Sequence, residues 1–180
     1  MIQIPDLAFE KRLWPYYPLI AGLDEAGRGA LAGPVTVAAV MLPNSAHLAR
    51  TLRGARDSKL LTALARDQLA PRIKQTARTW GIGFSSADEI DSLGIVAATR
   101  LAASRALEAL SLIPDYLLTD FRLELPELDI PQTSIVKGDQ KSLSIAAASI
   151  LAKTARDSLM NELDLQYPNY GLGKHKGYGT

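Results

Sequence analysis

Three apolar stretches of this 180-residue chain run out into acidic residues. "LIAGLD" reaches Asp24 and Glu25, "DYLLTD" closes on Asp120, and "TSIVKGD" carries Asp139 just past its glycine. A sheet can gather such strand ends from distant parts of a chain, and open α/β sheets place their ligands there. Four carboxylates brought together without counter-charge resist joint ionisation. A divalent cation removes that cost. The chain has no cysteine and two histidines, so the donors would be oxygens, which suit Mg²⁺ or Mn²⁺ better than zinc. Two such ions about 3.5–4 Å apart are the usual apparatus for in-line phosphodiester hydrolysis. Each residue also has an ordinary reading. An aspartate at a strand end is commonly a solvated turn residue, and Asp139 in "GDQKS" could cap the helix that follows.

Other groups surround this pattern. The carboxylate pair runs directly into Gly27-Arg28-Gly29, where the glycines either serve the turn alone or leave main-chain N–H and C=O groups open to a ligand. Ser58 and Lys59 in "DSK" read either as a helix cap with a solvated lysine or as phosphate contacts. Lys174, His175 and Lys176 in the glycine-rich tail form a basic patch suited to a phosphate backbone. No second histidine lies near His175, so metal ligation is not expected there. Asp157, close to Lys153 and Arg156, reads as a structural ion pair rather than a ligand.

Composition bounds the rest. Basic and acidic residues number 20 and 19, a formal net charge of +1, which excludes a strongly basic nucleic-acid coat but not a local basic groove. No apolar run reaches the roughly 18 residues of a membrane span, and the start lacks the pattern of a signal peptide. A cytoplasmic single domain spanning 1–180 is expected, with an aromatic, proline-rich surface arm over about 1–17 and a basic tail over about 169–180.

The elements that must position these residues follow from periodicity. "LIAGLD" and "VTVAAVML" read as adjacent antiparallel strands around the glycine-rich turn. Helical spacing covers Leu60 to Thr76, with Pro71 expected to break or bend it. "TWGIGFSS" is a third strand, and Ile95 to Leu110 an Ala/Leu-rich helix. The strands ending at Asp120 and near Asp139 follow, and then a long helix that stops before Pro168. The order implies an α/β domain with a mixed sheet, antiparallel early and parallel later.

The wording of these segments is itself informative. "GLDEAGRGALAGPV", "DSKLL", the strand-closing "TD", "VKGDQKSLSIAAASILAKTARDSLM" and "YPNYGLGKHKGYGT" stand in the order and spacing of the type 2 ribonucleases H, and the chain resembles the bacterial ribonuclease HII family from about Ile20 onward. The resemblance implies a ribonuclease H-like fold, a mixed sheet flanked by helices. It also implies an Asp24, Glu25, Asp120 and Asp139 set that is catalytic and holds two Mg²⁺ or Mn²⁺ ions, with Asp24 bridging both. Gly27, Arg28 and Gly29 would recognise the 2′-hydroxyl through their backbone, with the ring of Tyr178 against the sugar at the junction. Lys59, with Ser58 beside it, would lie near substrate phosphates, and Lys174 and Lys176 are assigned to the phosphate backbone by their charge.

The implied activity is hydrolysis of RNA in RNA–DNA hybrids and cleavage 5′ to single ribonucleotides in duplex DNA, by a monomer with no membrane partner. Two other readings are a catalytically silent hybrid-binding domain of the same fold and a phosphatase for small phosphate esters. Two departures from the family stand out: Phe121 follows Asp120 where a glycine is usual, and the chain stops at Thr180 where relatives continue into a further helical segment.

Overall fold

The computed structural model describes residues 4–45, 47–121 and 123–179. Five strands form one mixed sheet: β1 (Ile20–Ala26), β2 (Val35–Met41), β3 (Thr79–Ser85), β4 (Tyr116–Asp120) and β5 (Gln132–Ile135), in the order β3-β2-β1-β4-β5. The first three pair antiparallel, with Asp24 opposite Ala38 and Ala38 opposite Ile82. β4 adds parallel to β1, and β5 parallel to β4. The mixed sheet expected from the element order is therefore present.

Two layers of helix cover the sheet, and the alternation of side chains decides what each face meets. Ile20, Ala38, Val40 and Leu118 face α6 (Leu143–Gln166), whereas Ala21, Leu23, Val37 and Leu117 face the alanine stripe of α5 (Ile95–Glu108). α6 lies unusually close to β1. A Cβ on Gly22 would stand 2.4 Å from the backbone carbon of Ser144, so only glycine lets the first turn of α6 sit against the strand that carries Asp24.

Two expectations are corrected. The N-terminal arm is no mere surface strap. It contains α1 (Ala8–Leu13), and Leu7 and Trp14 are buried in the core on the α6 face, each contributing on the order of 1.5–3 kcal/mol of burial. Within α1, Glu10 is buried too, and one carboxylate oxygen accepts hydrogen bonds from the hydroxyls of Ser142 and Ser144 and from the Ser144 N–H.

Pro71 does not break its helix. α3 runs from Ala63 to Thr76 through it, started by the Thr62 side chain. Pro71 and Asp67, whose carbonyl loses its partner, are both exposed, so water can take the missing bond.

The tail is ordered as well, forming the short helix α7 (Leu172–His175) and docking back on the body. Two elements lie outside the sequence reading: α2 (Leu48–Thr51) and α4 (Ala87–Leu93), the latter started by a capping box between Ser86 and Glu89. Among the described residues no helix is long and apolar enough to cross a membrane.

Candidate active site

Strand order brings the acidic residues together. The β1–β4 register ends at Leu23–Thr119, which leaves Asp24 and Asp120 side by side at the strand ends, both on the α6 face by parity with Ile20 and Leu118. Glu25 follows on β1, and its carboxylate joins them beyond the last pair. Oxygens of Asp24, Glu25 and Asp120 all lie within 4.8 Å of one another. Asp139 stands next to this group, in a 3-10 turn (Gly138–Gln140) between β5 and α6. It is not the cap of α6. Ser142 takes that role, its hydroxyl accepting from the Ile145 N–H. The Gly138 N–H donates to Asp120 at 2.6 Å, tying that turn to the end of β4. Phe121 fits without a glycine's freedom, since its backbone is not left-handed and its N–H donates to Ile135 O.

The electrostatics show how crowded the carboxylates are. Asp24, only 5% exposed, is pushed well above the ordinary range by burial and then by the charges of Glu25, Asp120 and Asp139. Glu25 is raised by burial and Asp120, against the pull of Arg28, whose guanidinium lies 3.8 Å from it. Burial also raises Asp120, although N–H bonds from Gly138 and Phe121 oppose it. Asp139 is pushed up to about 7 by burial and by the charges of Asp57 and Asp120. One oxygen of Glu25 is buried with no hydrogen-bond partner among the described residues. An all-oxygen cluster with raised acids and an orphaned carboxylate oxygen fits a hard divalent cation, which would lower every one of these costs at once.

Asp57 was missed by the sequence reading. It is buried beside Asp139, accepts from the Lys59 N–H at 2.9 Å and from the Gln140 side chain at 3.3 Å, and makes five carboxylates at this end of the sheet. The signal was available, since it is the aspartate of the "DSK" triplet, but Ser58 and Lys59 drew the attention. Lys59 is the answering charge. Burial pulls its ammonium down, but Asp24, Asp57, Asp139 and Glu25 outweigh that and hold it above its ordinary value. Ser58 is buried rather than a solvated cap, with its hydroxyl 2.9 Å from that of Ser149 on α6.

A cleft of about 670 Å³ opens beside Glu25, and its walls include Gly27, Arg28, Gly29, Ser58, Lys59 and Tyr178. These six expected substrate residues, far apart in sequence, therefore share one cavity. Lys174 and Lys176 do not line it. Lys174 is exposed on α7, and the Lys176 ammonium turns to the Asn161 side chain. The additional cations of the cleft are Arg66 and Lys153, both held by Asp157 at 3.0 and 2.7 Å. Asp157 is a structural ion-pair residue as expected, but its partners are Arg66 and Lys153, not Arg156. His175 is engaged at both ring nitrogens: Nε2 donates to Tyr170 O and Nδ1 accepts from the Gly177 N–H.

The family model described as ribonuclease HII matches residues 21–180. The chain belongs to the ribonuclease HII family. Ribonuclease HII of Desulfitobacterium hafniense is 53% identical over 172 residues, an alignment covering 95% of this chain and 64% of that protein. That of Thermus thermophilus is 50% identical over 171 residues, covering 95% and 80%. The chain thus spans less than two thirds of the Desulfitobacterium relative and four fifths of the Thermus one. The crystal structure of ribonuclease H2 from Pyrococcus horikoshii superposes with a TM-score of 0.73 over 90% of this chain and 81% of that one, at 24% identity. That likeness establishes the ribonuclease H-like fold.

Proposed function

We propose that this chain is a divalent-metal-dependent endoribonuclease that hydrolyses RNA in RNA–DNA hybrids and cuts 5′ to a single ribonucleotide embedded in duplex DNA. The observation that carries the reading is the gathering of Asp24, Glu25 and Asp120 within 4.8 Å, with Asp139 adjacent, at the edge of a cleft lined by the Gly27–Gly29 backbone and Tyr178. Membership of the ribonuclease HII family supports it.

Asp24, Glu25, Asp120 and Asp139 would hold two Mg²⁺ or Mn²⁺ ions, Asp24 being the most enclosed of the four. Bound there, the ions supply an activated water and charge stabilisation for the leaving 3′ oxygen. The chain's own residues do the rest. Lys59 places a positive charge next to the acids, where an incoming phosphate also needs one. At Gly29 none of the described residues lies within 4 Å of an added Cβ, so its backbone is open to a close-lying sugar. The RNA–DNA difference is a 2′-hydroxyl that both donates and accepts, and exposed N–H and C=O groups match it. The Tyr178 ring, 36% exposed, supplies an apolar face at the same cleft. No serine or histidine nucleophile is needed.

A silent hybrid-binding domain is less well supported, because a crowded acidic cluster repels phosphate unless metal is bound. The test is incubation with Mg²⁺ and three duplexes: all-DNA, RNA–DNA hybrid, and DNA with one ribonucleotide. Cleavage of the last two alone supports the reading; binding without cleavage supports the silent domain, and, in a parallel incubation with a small phosphate ester, release of phosphate without duplex cleavage supports the phosphatase.

A further inference from the structure

Arg156 is fully buried, and among the described residues it forms no ion pair. Its guanidinium is spent on backbone carbonyls from two distant segments. Nε donates to Pro34 O at 2.8 Å and Nη2 to Ala32 O at 3.1 Å, both in the loop between β1 and β2; Nη1 donates to Lys176 O at 2.8 Å in the tail. The same two segments touch directly, because the N–H groups of Leu31 and Ala32 both reach Gly177 O. The planar fork of arginine serves three acceptors in fixed directions, which a lysine ammonium does not reproduce.

The fork also explains the first glycine of the Gly-Arg-Gly turn. Gly27 has φ +96°, and a Cβ there would stand 2.1 Å from Arg156 Nε, whereas Gly29 has open space. The two glycines serve different ends: Gly27 admits the arginine, and Gly29 faces the cleft. On the tail side, Lys176 is held in the left-handed region at φ 53°, and the next residues turn the Tyr178 ring over the cationic wall, 5.3 Å from Lys153 Nζ and from Arg156 Cζ.

We propose that Arg156 is a positioning residue for ribonucleotide recognition: by holding loop 27–34 and segment 176–178 on one guanidinium, it sets the spacing between the Gly29 backbone and the Tyr178 ring. The proposal rests on the reading of that cleft as the ribonucleotide site. Arg156 touches no reacting group and lies behind the recognition elements, so its effect falls on substrate discrimination and not on the metal cluster.

Two variants test it from opposite sides. Arg156→Lys keeps the charge and loses the fork. Gly177→Ala leaves the arginine intact but drives a Cβ to 2.1 Å from Ala32 O, prising the tail from the loop. Each is assayed by thermal melting, by the rate of tryptic cleavage after Lys174 and Lys176, and by kcat/KM on the single-ribonucleotide duplex and on the hybrid across a Mg²⁺ titration. Both variants should melt as cooperative folded proteins, release the tail to trypsin faster, and lower the ratio of single-ribonucleotide to hybrid kcat/KM about tenfold, with the Mg²⁺ midpoint unchanged; an ångström-scale misplacement is enough for such a loss. If Arg156→Lys does not fold, Gly177→Ala alone must show both changes, with the Mg²⁺ midpoint unchanged. A tail as protease-resistant as in the unaltered protein, or a released tail with an unchanged substrate ratio, overturns the proposal. An unaltered protein that cuts neither duplex refutes the functional reading instead, and the trypsin rates still decide whether Arg156 anchors the tail.

Discussion

Asp24→Asn should make the metal-free protein more stable while abolishing its activity. In the absence of cations, Asp24 is buried between Glu25 and Asp120 with their oxygens within 4.8 Å. Two unit charges at that distance repel by about 3.5 kcal/mol at an effective dielectric of about 20. Part of this is already avoided by protonation, as the raised acids show, so removing one charge should stabilise the metal-free fold by about 1–3 kcal/mol above neutral pH. For a domain of this size that corresponds to a rise in Tm of roughly 2–12 °C. The amide is sterically matched. Its oxygen can still accept from the Glu25 N–H, now bonded at 2.8 Å, and its NH₂ can donate to the Ser149 hydroxyl. The assay is thermal melting in EDTA and in excess Mg²⁺, paired with cleavage of the single-ribonucleotide duplex. The unaltered protein should gain Tm with Mg²⁺ and the variant should gain little. A lower Tm for the variant in EDTA, or a Mg²⁺ response equal to that of the unaltered protein, would refute the reasoning.

Three further outcomes follow from the same geometry. Because the folded pKa of Asp139, about 7, lies above its unfolded value, the metal-free native state holds the extra proton; stability in EDTA should therefore fall as pH rises from the ordinary carboxylate range to about 7 and then level off, and Mg²⁺ should flatten that fall, both visible in Tm against pH. Gly27→Ala should cost several °C in Tm, since its Cβ meets Arg156 at 2.1 Å, whereas Gly29→Ala should leave Tm unchanged and reduce kcat/KM on ribonucleotide substrates; equal Tm losses in the two would remove the distinction between them. Tyr178→Phe should retain most activity and Tyr178→Ala lose about 1–3 kcal/mol of transition-state stabilisation, more on a single ribonucleotide than on a uniform hybrid, with base–aromatic stacking as the nearest guide; a sharp Tm drop with an unchanged substrate ratio would make the ring a structural plug.

The sequence showed the parts better than their arrangement. Each strand leading to an acidic residue is an apolar run, so Asp24, Glu25, Asp120 and Asp139 could be singled out from local pattern. Their convergence depends on β4 inserting next to β1, across some ninety residues of intervening chain, and no local signal carries that; the family resemblance supplied it. Pro71 misled because the rule that proline ends helices assumes a carbonyl with no alternative partner, and on an exposed face water is one. α4 was overlooked although "SADE" holds the Ser-x-x-Glu box that starts it, because the helix runs only seven residues before Gly94. Of the two cations read beside Asp157, Lys153 pairs with it, but Arg156 is its immediate neighbour on the helix and points apart, inward to backbone carbonyls that no side-chain pattern announces. Lys174 and Lys176 were placed by charge alone, and the turn of α7 took them away from the cleft that Arg66 and Lys153 line.

The central claim is that metal held by the four carboxylates, and not the substrate's own 2′-hydroxyl, drives strand scission. Product analysis on a duplex with one ribonucleotide tests it most directly. With Mg²⁺ a single cut 5′ to the ribonucleotide is expected, giving a 3′-hydroxyl on the DNA side and a 5′-phosphate on the ribonucleotide, with no cut in EDTA. Cleavage that persists in EDTA, or a cut 3′ to the ribonucleotide ending in a 2′,3′-cyclic phosphate, would contradict it.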